Sequence, residues 1–127
     1  MIDRTHLLNS RQMAQFVADG YLRFDELVSQ DLNEGVKAKM DNQAIPGGKA
    51  GTPFREMWPD TPIGKMFRLP EIEGIINSLV GPDPIYDHHA VHTVKGGHTL
   101  GQHWHADAII DTRMHFDIQF LYFSHDT

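Results

Sequence analysis

The alternation of apolar and polar positions changes period along this chain, and that change divides it in two. After Asn9, Met13, Phe16 and Val17 recur on one face of a 3.6-residue period. Asn9 stands where an N-cap belongs, Gln12 can complete a capping box with it, and Gly20 supplies a left-handed stop. Residues 21–24, Tyr-Leu-Arg-Phe, read as a short strand. Ser29 opens a second predicted helix whose buried stripe is Leu32, Val36 and Met40, with Gly35 weakening it. The clearest helix starts at Pro70, carries Glu71 and Glu73 against its dipole, and closes at Gly81-Pro82. Its stripe is Ile72, Ile75, Ile76, Leu79 and Val80.

Beyond that helix the period becomes two. Strands are predicted over 85–94, 101–106 and 116–123, the first two joined by a Lys95-Gly96-Gly97 turn. In the last, Phe116, Ile118, Phe120 and Tyr122 alternate with Asp117, Gln119, Leu121 and Phe123. Helices first and strands afterwards predict an α+β fold, with N-terminal helices packed on an antiparallel sheet. Between the helices, 44–70 holds five of the seven prolines and four of the eleven glycines, and shows no sustained period. It reads as a long loop, either the lid or wall of a site or a surface excursion around a poorly ordered segment, part of which Phe54 and Trp58 would let pack down.

At 127 residues the chain has room for one domain, helical over 1–81 and strand-rich over 84–127. Its net charge of −6 and its 11 scattered Lys and Arg disfavour nucleic acid and anionic membranes as partners. The sequence contains no cysteine, which excludes disulfides, thiolate zinc sites, iron–sulfur clusters and cysteine nucleophiles. A cytoplasmic location fits that usage. No apolar run approaches the length of a membrane span, and the N-terminus has no signal-type apolar core.

Candidate chemistry concentrates late in the chain, where eight of the nine histidines lie at or beyond position 88. Within Gly101-Gln102-His103-Trp104-His105-Ala106-Asp107, an extended backbone turns His105 and Asp107 to the same side. An imidazole and a carboxylate so placed can converge on one metal ion, as in the facial site of non-haem Fe(II) oxygenases. A second triplet, His115-Phe116-Asp117, opens a strand of core aromatics and reads as a strand end near solvent. On a strand, His88 and His92 face one way and His89 the other, and each fits a hydrogen-bonded core or edge position. Gln119, the polar residue in an apolar stretch, serves either a ligand or a satisfied core amide. Lys95 either offers a cation to a carboxylate or phosphate or is a solvated turn residue.

His105-Ala106-Asp107 with Trp104 before it resembles the metal motif of the phytanoyl-CoA dioxygenase family. Two further stretches are similar to that family: the helix ending in Phe16-Val17-Ala18-Asp19-Gly20-Tyr21, and the segment 117–123 at its interval from the motif. The resemblance implies an Fe(II)- and 2-oxoglutarate-dependent oxygenase on a double-stranded β-helix, a jelly-roll fold shared with cupins. It implies His105 and Asp107 as metal ligands, with His103 and Trp104 as outer-shell or pocket residues. Lys95 and Gln119 would then lie towards 2-oxoglutarate, and a small-molecule substrate and O₂ would be the reaction partners. In the family, a second His ligand and a cosubstrate-binding Arg follow later than Thr127. The resemblance therefore covers an N-terminal portion, whose exposed strand edge would favour self-association. Two other classes remain open. One is a cupin-like metal-binding protein using His103 and His105, although Ile109 and Ile110 stand where the cupin motif expects Glu. The other is a non-catalytic remnant or interaction module.

Overall fold

The computed structural model describes residues 4–42, 45–91, 103 and 117–124. Its elements are α1 (Ser10–Asp19), α2 (Gln30–Asp41), α3 (Pro62–Phe67) and α4 (Pro70–Val80), with 3-10 turns at Arg4–His6 and Phe54–Glu56. The start of α1 is built as its sequence predicts. Asn9 Oδ1 accepts from the Gln12 N–H at 2.9 Å, and the Asn9 N–H donates to Gln12 Oε1 at 3.0 Å. The helix stops at Gly20, whose φ is +79°. Its apolar face, however, buries nothing fully, and Val17 is 80% exposed.

The core is made elsewhere. Val36 of α2, Ile63 and Met66 of α3, and Ile72 and Ile76 of α4 meet Met57, Trp58 and Tyr86 in one buried cluster. Leu32 and Met40, the other members of the α2 stripe, pack against it from the side. Ser29 takes the N-cap position of α2, with no hydrogen bond from its side chain to the helix N-terminus. Helix α4 has Pro70 in its first turn and ends at Gly81 as expected. It packs on α3 and on the N-terminal 3-10 turn rather than on a sheet. Leu8 N–H fastens that N-terminal segment by donating to Ser78 Oγ at 2.9 Å.

Two expectations are corrected here. The stretch 44–70 is not a loop excursion, because it supplies four of the eight residues of the core cluster: Met57, Trp58, Ile63 and Met66. Its prolines punctuate short elements instead of preventing them. Pro62 occupies the first turn of α3, and Thr61 caps that helix by accepting from the Gly64 N–H at 3.1 Å. Only glycine can stand at 64, because a Cβ there would lie 1.8 Å from the Trp58 carbonyl oxygen.

The second correction concerns fold class. Among the described residues the chain is helical and contains no β-strand, so the α+β antiparallel sheet and the jelly-roll fold are overturned. Residues 21–24, 85–91 and 117–124 belong to no ladder. One isolated antiparallel bridge joins Pro53 to Ile85. Its bonds come from the flanking residues, Phe54 N–H to the Pro84 carbonyl and Tyr86 N–H to the Thr52 carbonyl, and the next bond, Gly51 N–H to the Tyr86 carbonyl, leaves the ladder register. The predicted strand edge for self-association has no counterpart in these residues. The alternation over 117–124 does have a physical meaning: Ile118 and Tyr122 are partly buried and Phe120 borders the body, whereas Leu121 and Phe123 are 74% and 67% exposed. Phe120 meets Phe67 edge-on at 5.2 Å, and Tyr122 OH donates to Asn33 Oδ1 on α2. The period-two pattern recorded which side faces the helices. It did not create a ladder.

Candidate functional site

The side chains brought together with most chemical definition are Trp58, Tyr86 and His89. The Phe54–Glu56 turn delivers Met57 and Trp58 into the core, and Trp58 takes the left-handed conformation at φ +49°. For an aromatic residue that conformation costs on the order of 1–3 kcal/mol, so its surroundings must over-determine it. They do. The Trp58 indole N–H donates to the Pro46 carbonyl at 2.8 Å, and Thr61 Oγ1 donates to the Trp58 carbonyl at 3.0 Å. The Arg68 guanidinium spans the same turn, donating to the carbonyls of Gly64 and Arg55 at 2.6 Å and of Met57 at 2.8 Å.

The Trp58 ring stacks on Phe67 at 5.9 Å and meets Tyr86 and His89 edge-on at 5.5 and 5.3 Å. Tyr86 OH lies 2.6 Å from His89 Nδ1. Burial, reinforced by the negative charge of Asp87, raises the Tyr86 pKa, so the phenol keeps its proton at neutral pH. The contact suits either tautomer of His89, the hydroxyl donating to a bare Nδ1 or accepting from an Nδ1–H. Beside this cluster an open cleft of about 470 Å³ runs between Gly47, Gly48 and Lys49 on one side and Met57, Trp58 and Asp60 on the other.

The residues singled out in the sequence are placed differently. His105, Asp107, Trp104 and Lys95 lie outside the described residues, as do His92, His98, His115 and His125. His103 is exposed and in no regular element. Gln119 is exposed on the 117–124 segment. His88 is exposed with Nδ1 2.7 Å from Asp87 Oδ2, while His89 is partly buried against Trp58. Among the described residues no three His, Asp or Glu side chains converge as a metal site. No described helix is long and apolar enough to cross a membrane.

Sequence reasoning missed the Tyr86–His89 pair for a definite reason. Residues three apart on a strand face opposite sides, and their contact at 2.6 Å requires the non-strand path that the chain takes here. The available signal was the break in regularity at Gly81-Pro82-Asp83-Pro84, which precedes Tyr86. No known protein-family model matches this chain, and comparison with curated proteins and with solved structures finds no match.

Proposed function

We propose that this chain belongs to a non-haem Fe(II)- and 2-oxoglutarate-dependent oxygenase of the phytanoyl-CoA dioxygenase type, a cytoplasmic enzyme that hydroxylates a small molecule with O₂. The observation that carries the reading is His105-Ala106-Asp107 inside a histidine-dense segment of a chain without cysteine. Imidazole and carboxylate donors suit iron(II) and leave no soft thiolate to draw copper(I) or zinc. His105 would hold the metal through a neutral ring nitrogen and Asp107 through its carboxylate. Because the ring must be unprotonated to bind, affinity falls as the pH drops below the ordinary histidine range of about 6.5. When bound, iron and 2-oxoglutarate supply the oxidising power for attack on a C–H bond. Lys95 would offer its ammonium to a cosubstrate carboxylate and Gln119 an amide. His103 and Trp104 would flank the ligands and limit access of water.

The helical body is independent of this chemistry in one useful sense. Among the described residues the buried members of its core cluster, Val36 to Tyr86, all precede the motif, and Tyr122 packs on the cluster from beyond it. Ligand substitutions should therefore leave the fold intact. The test uses the natural polypeptide that carries this sequence, supplied with Fe(II) and 2-oxoglutarate, with succinate formation as the readout. His105→Ala and Asp107→Ala should each abolish iron-dependent turnover, and His103→Ala should lower it by about 10–100-fold. Full activity in His105→Ala, or total loss confined to His103→Ala, overturns the assignment. So does an iron-loaded wild type that forms no succinate with any candidate substrate.

A further inference from the structure

Residues 46–50 are all exposed and lie across the core cluster between two firm attachments. Upstream, Ile45 packs against the buried cluster. Downstream, the Gly51 N–H donates to the Tyr86 carbonyl, the Tyr86 N–H to the Thr52 carbonyl and the Phe54 N–H to the Pro84 carbonyl, each at 2.8 Å. Between these attachments the Trp58 indole N–H donates to the Pro46 carbonyl, and the Lys49 carbonyl accepts from the Thr52 N–H at 3.2 Å and from Thr52 Oγ1 at 2.7 Å. The other close contact is at Gly48. A Cβ there would stand 2.3 Å from Met57 Cε and 2.6 Å from Tyr86 Cε1, so the backbone lies directly on the Tyr86 ring. The cleft opens along the same edge.

We infer that residues 46–50 form a strap that lifts between its two attachments while the helical core stays folded, with the Trp58–Pro46 hydrogen bond as its latch. Lifting uncovers the Tyr86 ring, the Met57 side chain and the Trp58 edge, and widens the adjoining cleft. The physical basis is unequal fastening. The buried side chains of α4 are released only when the core opens, whereas among the described residues the strap meets the core cluster through the Trp58–Pro46 hydrogen bond and the Gly48 contact, its Lys49 carbonyl being tied only to the neighbouring Thr52. Segments with so few buried contacts open locally, far below the free energy of global unfolding. The strap has the form of a cover over a preformed aromatic floor, and its position at the cleft makes it a gate to that floor.

The latch proton itself reports the motion. Trp58 and Trp104 are the two tryptophans of the chain, so Trp58→Phe identifies the Trp58 indole resonance. In the wild-type chain, hydrogen exchange of that indole N–H should be slowed but nearly independent of low urea. The Ile75 and Ile76 amides of α4 should exchange faster with each urea increment, as global unfolding requires. Gly48→Ala places a methyl group against the Tyr86 ring, and should speed exchange of the Trp58 indole by about tenfold or more while the α4 amides stay protected. An indole proton with the same protection and urea dependence as the Ile76 amide overturns the inference, as does one with no protection. An unchanged indole rate in folded Gly48→Ala also overturns it. If that variant does not fold, the wild-type urea dependence decides by itself.

Discussion

Arg68 offers a direct test of how the Trp58 turn is held. Its guanidinium joins three carbonyls from two separate stretches, those of Arg55 and Met57 before the turn and of Gly64 after it. Arg68→Ala removes all three donors. The losses are unequal. The Gly64 carbonyl keeps its bond from the Arg68 backbone N–H at 3.2 Å, and the bond to the Arg55 carbonyl lies at the exposed surface, where water can replace it. The partly buried bond to the Met57 carbonyl has no such substitute and sits next to the strained Trp58 backbone. A hydrogen bond from a charged donor contributes about 1.5–3 kcal/mol when water is excluded and far less when it is not. Alanine also avoids the entropy cost of fixing a long side chain, up to about 2 kcal/mol. The expected net loss is about 1 kcal/mol, or roughly 3–5 °C in Tm for a chain of this size. Arg68→Lys should recover less than half, because an ammonium cannot span three carbonyls as a planar fork does. Urea unfolding followed by tryptophan emission measures both variants, and the Trp58 emission of Arg68→Ala should shift to the red before the main transition. If Arg68→Ala unfolds within about 0.5 kcal/mol of wild type, the clamp contributes nothing and the strain at Trp58 is held by packing alone.

Three further outcomes are expected. Ile76→Ala, in the middle of the α4 stripe and 7% exposed, should cost about 2–5 kcal/mol by cavity formation, read from urea midpoints at constant slope. Val17→Ser should stay within about 0.5 kcal/mol of wild type, since that side chain meets solvent despite its place in the α1 pattern; a core-sized loss would place α1 against the body more closely than it lies here. Burial raises the pKa of both Tyr86 and Tyr122, so the folded state holds these protons more tightly than the unfolded state does. Their contribution is therefore complete below the ordinary tyrosine value of about 10 and is lost as the pH rises past it. Unfolding free energies measured from pH 8 upward should fall above about pH 10, and less steeply in Tyr86→Phe than in wild type. Equal slopes would refute the assignment to Tyr86.

What the sequence determined by itself is local. The capping box at Asn9 and Gln12, the stop at Gly20, the start of α4 at Pro70 and its Ile72, Ile75 and Ile76 face all follow from neighbours within one or two turns. Those interactions need no distant partner, so they are legible from residue order. Period two over 117–124 was legible in the same way as a preference of one side for burial. The tertiary structure decided whether such a segment would find a ladder. A ladder requires backbone partners at a particular register, and side-chain alternation does not encode their presence. Tertiary structure likewise decided that the proline-rich stretch 44–70 would become the centre of the core. Its elements are too short to show a period, and the buried Trp58 is stabilised by Pro46, Thr61 and Arg68, the farthest 12 residues away in the Trp58–Pro46 bond. The Tyr86–His89 contact belongs to the same class: it depends on the path of the chain past Trp58. The two-residue spacing of His105 and Asp107 is a property of order along the chain. The aromatic floor beneath the 46–50 strap exists only because three separate stretches pack together.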